Sequence, residues 1–163
     1  MNGGVDFQPP TRYNDYMKIY IASSWKNREK VREMANRLRK DGHKVYDFTD
    51  ISNRKIPELS PEFIKKGEYD PAKHKSYSDF LRCREMYASV MNNQEALRWC
   101  DLVVMLLPCG NDAHSDWAYA VGQGKSTLVV GQPRKGEQSY TQLWADKIID
   151  NPEDVYKFIK DNY

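Results

Sequence analysis

The most apolar stretch of the chain is Asp101-Leu102-Val103-Val104-Met105-Leu106-Leu107, and the turn-forming residues Pro108-Cys109-Gly110-Asn111-Asp112 follow it directly. A run that is apolar nearly throughout is typical of a central parallel strand, which is buried on both of its faces. A helix is predicted next, over about Ala113–Gln123, and it completes a strand–turn–helix unit. We therefore predict that this stretch is an inner strand of a parallel sheet.

The rest of the chain continues this alternation of strands and helices. Further strands are predicted at Lys18–Ser23, Lys44–Phe48 and Thr127–Val130, with a weaker one at Lys147–Ile149. Further helices are predicted over Lys26–Lys40, Tyr77–Trp99 and from Pro152 onwards, because apolar residues recur there at helical spacing. The alternation predicts a doubly wound α/β fold of the flavodoxin-like type, with a parallel sheet of about five strands and helices on both faces.

The length of the chain fits one domain. Its 163 residues are close to the ~150 residues of a typical domain. We predict a single domain over residues 1–163, in which residues 1–17 are candidates for disorder. Residues 49–78 form an irregular insertion, with room for a short helix at Pro61–Lys66, and insertions of this length often serve as binding loops.

Composition excludes several classes of protein. The net charge of +2 is too small to predict a nucleic-acid polymer or a membrane as a partner. No apolar run approaches the ~20 residues of a spanning helix, and no signal peptide opens the chain. Three cysteines without a CxxC pair fit a reducing cytoplasm. The three histidines lack metal-ligand spacing, so we expect neither a metal site nor a cofactor.

Two segments should meet beyond the carboxyl ends of the strands, where ligands of such folds bind. They are Ser23–Arg28, after the first strand, and Cys109–Asp116, after the apolar strand. The helix that begins in the second segment favours an anion at its amino end. Aspartate and serine in a first helical turn are nevertheless caps more often than ligands. Gly122-Gln123-Gly124-Lys125 follows a helix and lacks P-loop spacing, so it predicts a helix stop.

The candidate substrate contacts come from these two segments, together with Asp47 of the second predicted strand. The candidates are Ser23, Ser24, Lys26, Asn27, Arg28, Asp47, Gly110, Asn111, His114 and Ser115. Each has an ordinary alternative: Lys26, Asn27 and Arg28 suit the solvated start of a helix, and Asp47 suits a turn cap. Spacing alone therefore predicts a small-molecule site without identifying a reaction.

Five pieces of the sequence, in this order and spacing, resemble the nucleoside 2-deoxyribosyltransferase-like proteins. They are Lys18–Trp25 (KIYIASSW), Gly42–Phe48 (GHKVYDF), Ala96–Val104 (ALRWCDLVV), Leu107–His114 (LPCGNDAH) and Ala118–Lys125 (AYAVGQGK). This family includes deoxyribosyltransferases and nucleoside-monophosphate N-glycoside hydrolases. The resemblance covers about residues 18–130 and implies a nucleoside or nucleotide substrate. It also implies a homo-oligomer, a dimer or higher. Aromatics such as Tyr87 and Trp117 would suit its interface if exposed, and burial in the monomer core explains them as well.

The resemblance also implies a mechanism and three catalytic residues. In the family, a carboxylate attacks the anomeric carbon, and a second base or water resolves the glycosyl-enzyme. Asp116 falls where the family has its nucleophilic glutamate, at the start of the helix after the third strand. Tyr20 falls on the phenol that positions the nucleophile. Asn93 falls on an aspartate that handles the sugar or the leaving base.

Two of these positions depart from the family pattern. Asp116 is one methylene shorter than glutamate, which withdraws the carboxylate by roughly 1.5 Å. Asn93 can donate a hydrogen bond but cannot transfer a proton as a carboxylic acid does.

The first hypothesis for the function is an N-glycosidase or deoxyribosyltransferase, and Lys26, Arg28 and Ser115 favour a substrate with a 5′-phosphate. The alternative is a nucleotide-binding module of the same fold, a sensor or sequestering protein; a different reaction such as NAD cleavage is a third reading.

Overall fold

A five-stranded, all-parallel sheet forms the centre of the molecule. The computed structural model describes residues 16–50, 70–73 and 75–163. The strands are β1 (Lys18–Ala22), β2 (Lys44–Asp47), β3 (Leu102–Leu106), β4 (Ser126–Val130) and β5 (Lys147–Ile149). Their order is β2-β1-β3-β4-β5, with every neighbouring pair parallel. This is the flavodoxin-like order, so the predicted fold class is confirmed.

Five α-helices accompany the strands in the described part of the chain. They are α1 (Arg28–Lys40), α2 (Tyr77–Leu81), α3 (Arg84–Trp99), α4 (Asn111–Gly122) and α5 (Asp154–Asn162). Short 3-10 turns lie at Trp25–Asn27 and Tyr140–Trp144. The single helix predicted over Tyr77–Trp99 is wrong in one respect, because Cys83 adopts an extended backbone and divides it into α2 and α3. The segments 1–15 and 51–69, including the predicted helix at Pro61–Lys66, lie outside the described residues.

The two faces of the sheet carry different helices. Ile19 and Ile21 of β1 point to the face covered by α1 and α5, where they join Leu38 and Ile159 in one buried cluster. Tyr20 points to the opposite face, covered by α3 and α4. This division follows from the period of two along a strand, which sends successive side chains to opposite faces. The face with α3 and α4 therefore receives the candidate catalytic residues.

Gly131 directly follows β4 and lies close to the residue that follows β3. Its φ of 93° lies in the left-handed region that favours glycine. A Cβ atom there would stand 3.0 Å from the carbonyl oxygen of Leu107. The amide nitrogen of Leu107 donates to the carbonyl of Val130 at 2.8 Å, which continues the pairing of β3 and β4. The carboxyl end of β3 is therefore held closely against β4.

Within the described ranges, no helix combines the length and apolar character that crossing a bilayer requires.

Candidate active site

Asp116 lies on α4 over the carboxyl half of the sheet. The prediction that it belongs to the first helical turn is wrong, because α4 begins at Asn111 and Asp116 occupies the second turn. This position brings its side chain over β1, where the buried Tyr20 stands on the same face. The Tyr20 hydroxyl donates to Asp116 Oδ2 at 2.7 Å. Residues 96 positions apart thus form a direct pair.

A second donor reaches the same carboxylate oxygen. Asn93, on α3, donates from Nδ2 to Asp116 Oδ2 at 3.3 Å. Its Oδ1 accepts from the Tyr46 hydroxyl at 3.1 Å. No hydrogen bond within the described part of the chain reaches Asp116 Oδ1. The structure therefore brings together three residues predicted as catalytic, Tyr20, Asn93 and Asp116, and leaves one carboxylate oxygen for a ligand.

Tyr46 is a member of this cluster that the sequence analysis missed. It pairs in register with Tyr20 across β1 and β2, so the two side chains stand on the same face. Their rings stack with centroids 5.2 Å apart and planes 16° from parallel. The signal was present in the sequence, since each tyrosine lies two positions into its predicted strand. Only the register of the two strands, however, shows that they are neighbours.

Burial is the main cause of the shifted pKa of the Asp116 carboxyl. Desolvation raises the pKa of its carboxyl from 3.8 to about 6; the hydrogen bond from Tyr20 lowers it and the charge of Asp112 raises it further. The group remains mainly ionised at neutral pH. Burial, together with the charge of Asp116, raises the pKa of the Tyr20 phenol well above its usual value. Tyr20 therefore stays protonated and acts as a hydrogen-bond donor.

The segment after β1 is tied to the turn after β3. Ser23 donates from its hydroxyl to the carbonyl of Leu106 at 2.8 Å. Asn27 donates to Ser23 Oγ at 3.3 Å and to the carbonyl of Pro108 at 2.5 Å. Ser24 is a cap, since its hydroxyl accepts from the amide of Lys26 at 3.2 Å. The structure thus brings Ser23 and Asn27 to the second segment, as the predicted topology required.

Two cationic side chains of the segment after β1 are exposed to solvent. Lys26 and Arg28 are both exposed, and the Arg28 guanidinium lies 3.4 Å from the carboxylate of Glu29. An exposed ion pair of this kind contributes little to stability. Both cations are therefore available to an anionic group that approaches the cleft.

The predicted contacts at the start of α4 mostly bond within the helix. Gly110 is the N-cap residue and has no side chain to cap with. Ser115 donates from Oγ to the carbonyl of Asn111 at 3.0 Å. His114 lies with Nδ1 3.0 Å from the carbonyl of Gly110 and with Nε2 3.3 Å from the amide of Gln142. Asn111 and Ser115 are exposed at the mouth of the site.

A strap formed by residues 134–137 holds the turn after β3. The carboxylate of Glu137 accepts from the amide nitrogen of Cys109, and Arg134 donates to the carbonyl of Cys109 at 3.0 Å. Arg134 and Glu137 pair with each other at 3.1 Å. Burial alone would raise the pKa of the Glu137 carboxyl, but the hydrogen bonds from Arg134 and Cys109 outweigh it and the pKa is lowered.

Cys109 stands 3.4 Å from His114, a spacing that could suggest a cysteine nucleophile. Burial, with the charge of Glu137, raises the pKa of the Cys109 thiol to about 12. A reactive cysteine needs a lowered pKa, because the thiolate is the nucleophile. Cys109 is therefore a structural residue of the turn.

Asp47, a predicted substrate contact, forms its hydrogen bonds with groups of the protein itself. Its carboxylate accepts from Arg39 at 2.7 Å and from the amides of Thr49 and Asp50 at 3.0 and 3.1 Å. With 2% exposure it is buried. Asp47 alternates with Tyr46 along β2, so it stands on the face opposite to the Tyr20–Asp116 pair. The turn-cap interpretation is the one that these contacts support.

A cavity of about 450 Å³ opens between β2 and α3. Its described lining includes Tyr46 but not Asp116. This cavity thus lies beside Asp116 and shares only Tyr46 with the cluster. Among the residues placed by the structure, no three His, Cys, Asp or Glu side chains converge as metal ligands.

Comparison with known proteins found solved structures whose folds are similar to that of this chain. No protein-family model and no curated protein sequence matches the chain. A solved 2-deoxyribosyltransferase from the psychrotolerant bacterium Bacillus psychrosaccharolyticus is similar with a TM-score of 0.55 and 16% identity, over 84% of this chain and 88% of that one. A conserved protein from Enterococcus faecalis V583 gives a TM-score of 0.53 and 14% identity, over 89% and 98%.

A third solved structure is the CMP N-glycosidase BcmB of Clostridium botulinum. Its TM-score is 0.46 at 14% identity, over 86% of this chain and 95% of that one. At such identities the likeness concerns the fold. The first two structures, with TM-scores of 0.55 and 0.53, confirm the fold implied by the resemblance.

Proposed function

We propose that this protein cleaves or transfers the N-glycosidic bond of a nucleoside or nucleoside 5′-monophosphate, with Asp116 as the nucleophile. The observation that carries the proposal is the pair of donors, Tyr20 and Asn93, that converge on Asp116 Oδ2. This arrangement fixes the carboxylate and leaves Oδ1 free to attack. A 2-deoxyribosyltransferase has the same fold, which supports this reading over other uses of a buried carboxylate.

The reaction proceeds in two displacements. Asp116 Oδ1 bonds to the anomeric carbon while the bond to the base breaks, giving a glycosyl ester on Asp116. An acceptor base or water then attacks the same carbon and releases the carboxylate, with retention of configuration. Tyr20 holds Oδ2 throughout, since its phenol stays protonated. A pKa of about 6 keeps Asp116 ionised yet makes it a better nucleophile than an exposed aspartate.

The exposed cations of the first segment support a phosphate on the substrate. Lys26 and Arg28 lie on the segment that Asn27 ties to the turn after β3. A substrate phosphate between that segment and the start of α4 would meet these cations and the positive end of the helix. We therefore include 5′-monophosphates in the proposed substrate class.

A panel of ribo- and deoxyribonucleosides and their 5′-monophosphates tests the proposal, with and without an acceptor base. Chromatography should detect free base with the wild type and none with Asp116→Ala. Asp154→Ala, an exposed aspartate on the opposite face, should retain full activity. Product that forms only with an acceptor identifies a transferase. Absence of product from every compound contradicts the proposal.

A nucleotide-binding module without catalysis is the second candidate. Asn93 favours it, because an amide stands beside the carboxylate where an acid would assist bond cleavage. This candidate predicts that a nucleotide raises the melting temperature while the panel yields no free base.

A further inference from the structure

We propose, resting on the function above, that the preferred substrates are N-glycosides whose base carries a fixed positive charge before cleavage. N7-alkylated purine nucleotides are the representative class. The inference comes from the groups that surround Asp116, which suit a departing base that needs no proton. It concerns substrate choice and leaves the double displacement unchanged.

The departure of a neutral base normally requires an acid. When the glycosidic bond breaks, the base takes the bonding electron pair and must receive a proton, which a general acid usually supplies. Asp116 is held by a phenol and by an amide, Tyr20 and Asn93. An amide cannot transfer a proton as an acid. Burial raises the pKa of the Tyr20 phenol, which makes it a poor acid.

Tyr46 fixes the amide of Asn93 in this orientation. Its hydroxyl donates to Asn93 Oδ1, which directs Nδ2 to Asp116. Turning the amide over would place Oδ1 against the ionised carboxylate and would lose the hydrogen bond from Nδ2 to Asp116. Oδ1 and Nδ2 of Asn93 thus both take part in the hydrogen bonds that position the nucleophile. The group next to the nucleophile serves the carboxylate and not the leaving base.

The charge and the aromatic rings of the cluster favour a cationic base. Asp116 is a half-buried anion, and the charge of Asp112 adds to its field. The stacked rings of Tyr20 and Tyr46 lie beside it, and Tyr20 is buried. Attraction between opposite charges strengthens where such rings exclude water. A positively charged ring is therefore stabilised where a neutral ring would gain less.

The chemical step balances without an acid. Asp116 Oδ1 forms a bond to the anomeric carbon, and the electron pair of the breaking C–N bond neutralises the cationic base, which departs uncharged. Water then attacks the anomeric carbon, the ester bond to Asp116 breaks, and one proton passes to solvent. Hydrolysis of a cationic N-glycoside thus releases one proton for each base, and hydrolysis of a neutral one releases none. A pH-stat measures this difference.

The test compares 7-methylguanosine 5′-monophosphate with guanosine 5′-monophosphate, in their ribose and 2′-deoxyribose forms. Each rate of base release is divided by the uncatalysed rate under the same conditions, because the cation also hydrolyses faster on its own. We expect the enhancement to be about 100-fold larger for the methylated compound, which is a modest value for general-acid assistance that only the neutral base requires.

Asn93→Asp places an acid beside the nucleophile and should narrow this difference in enhancement. We expect it to raise cleavage of the neutral nucleotide about tenfold or more, while cleavage of the cation changes less. Asn36→Asp, the same change on the exposed side of α1, should alter neither rate. Equal enhancement of both nucleotides by the wild type overturns the inference and leaves the proposed function standing. Cleavage of neither compound, nor of any other in the panel, removes the proposed function itself.

Discussion

At the scale of single residues, the decisive feature is that two hydrogen bonds end on one oxygen of Asp116. Tyr20 and Asn93 both donate to Oδ2. A carboxylate held by one oxygen keeps the other in a fixed direction, which lowers the entropy cost of reaching the anomeric carbon. The two bonds also favour the ionised form that the proposed attack requires.

Loss of the Tyr20 hydroxyl should move the pH dependence of activity. In Tyr20→Phe, Asp116 loses the hydrogen bond that lowers its pKa, so that pKa rises above about 6. Activity requires the carboxylate and falls as pH drops through this pKa. The acidic limb of the profile of kcat/KM should therefore shift to higher pH. Tyr140→Phe, at a tyrosine that is 92% exposed, should leave the profile in place; an unchanged profile in both variants contradicts the assignment.

Asp116 should also lower the stability of the protein at neutral pH. Its pKa is about 6 in the folded state against 3.8 for an unperturbed carboxyl, so folding favours the protonated form. This stabilisation is complete below about pH 4 and is lost as pH rises through 6. Asp116→Asn should therefore raise the free energy of unfolding at pH 7 by about 1–3 kcal/mol. Urea unfolding at pH 7 and at low pH should show a gain that disappears in acid.

The sequence identified some members of this cluster but not their arrangement. The resemblance assigned catalytic roles to Tyr20, Asn93 and Asp116. The structure places the three within hydrogen-bonding distance, while their catalytic roles stay predictions. Tyr46 was missed because its partnership depends on strand register. Asp47 drew attention as a polar residue at the end of a strand, but a side chain in a strand can point to either face. Sequence position does not reveal that choice when the register is unknown.

At the scale of elements, the turn between β3 and α4 is held from two directions. Asn27 bonds to it from the segment after β1, and the strap of residues 134–137 bonds to it from the segment after β4. The topology predicted that the segment after β1 would meet this turn, but not which side chain would bond to it. The contact with the strap could not be predicted, because Cys109 and Glu137 are 28 residues apart and share no local pattern. Strands and helices, in contrast, follow from local periodicity.

Glu137→Gln should weaken the strap and the fold together. The Cys109 amide nitrogen and Arg134 both bond to this carboxylate, whose side chain is 9% exposed. Replacing a charged acceptor at a buried site should lower the free energy of unfolding by about 1–3 kcal/mol. Glu153→Gln removes the exposed ion pair with Arg37 and should cost less than about 1 kcal/mol. Equal losses of unfolding free energy in the two variants, measured by urea unfolding, would contradict a larger stabilising role for the strap than for an exposed ion pair.

Gly131 offers a second test at this scale. Gly131→Ala places a methyl group 3.0 Å from the Leu107 carbonyl at a φ of 93°, and should destabilise the protein by about 1–3 kcal/mol. Gly122→Ala, at the end of α4 with open space around its Cα, should be neutral or slightly stabilising. Thermal unfolding of the two variants separates a requirement for glycine from a general effect of the added methyl.

At the scale of the whole molecule, the alternation of strands and helices predicted the fold class and the meeting of the two candidate segments. Five parallel strands align their carboxyl ends at one edge, so residues after β1 and β3 had to meet there. The predicted homo-oligomer stays a prediction. Trp117 does not serve it, because this side chain is 1% exposed and packs in the core. Tyr87 and Val90 on α3 are 62% and 53% exposed.

Tyr87→Glu should therefore reduce assembly. The wild type should sediment as a particle larger than the 19.1 kDa chain, because an exposed apolar pair on a helix favours association. The variant should shift toward the monomer with an unchanged circular dichroism spectrum. Sedimentation of the wild type at the mass of one chain would contradict the prediction directly.

The doubly held turn after β3 also has a consequence for redesign. Its backbone groups at Pro108 and Cys109 are bonded to other segments, whereas the neighbouring side chains of Asn111 and Ser115 face solvent. Libraries that randomise these two positions would vary the mouth of the cleft upon a backbone that stays in place. Directed evolution at these two exposed positions could therefore select new substrates while the hydrogen bonds of the turn and of the nucleophile are kept.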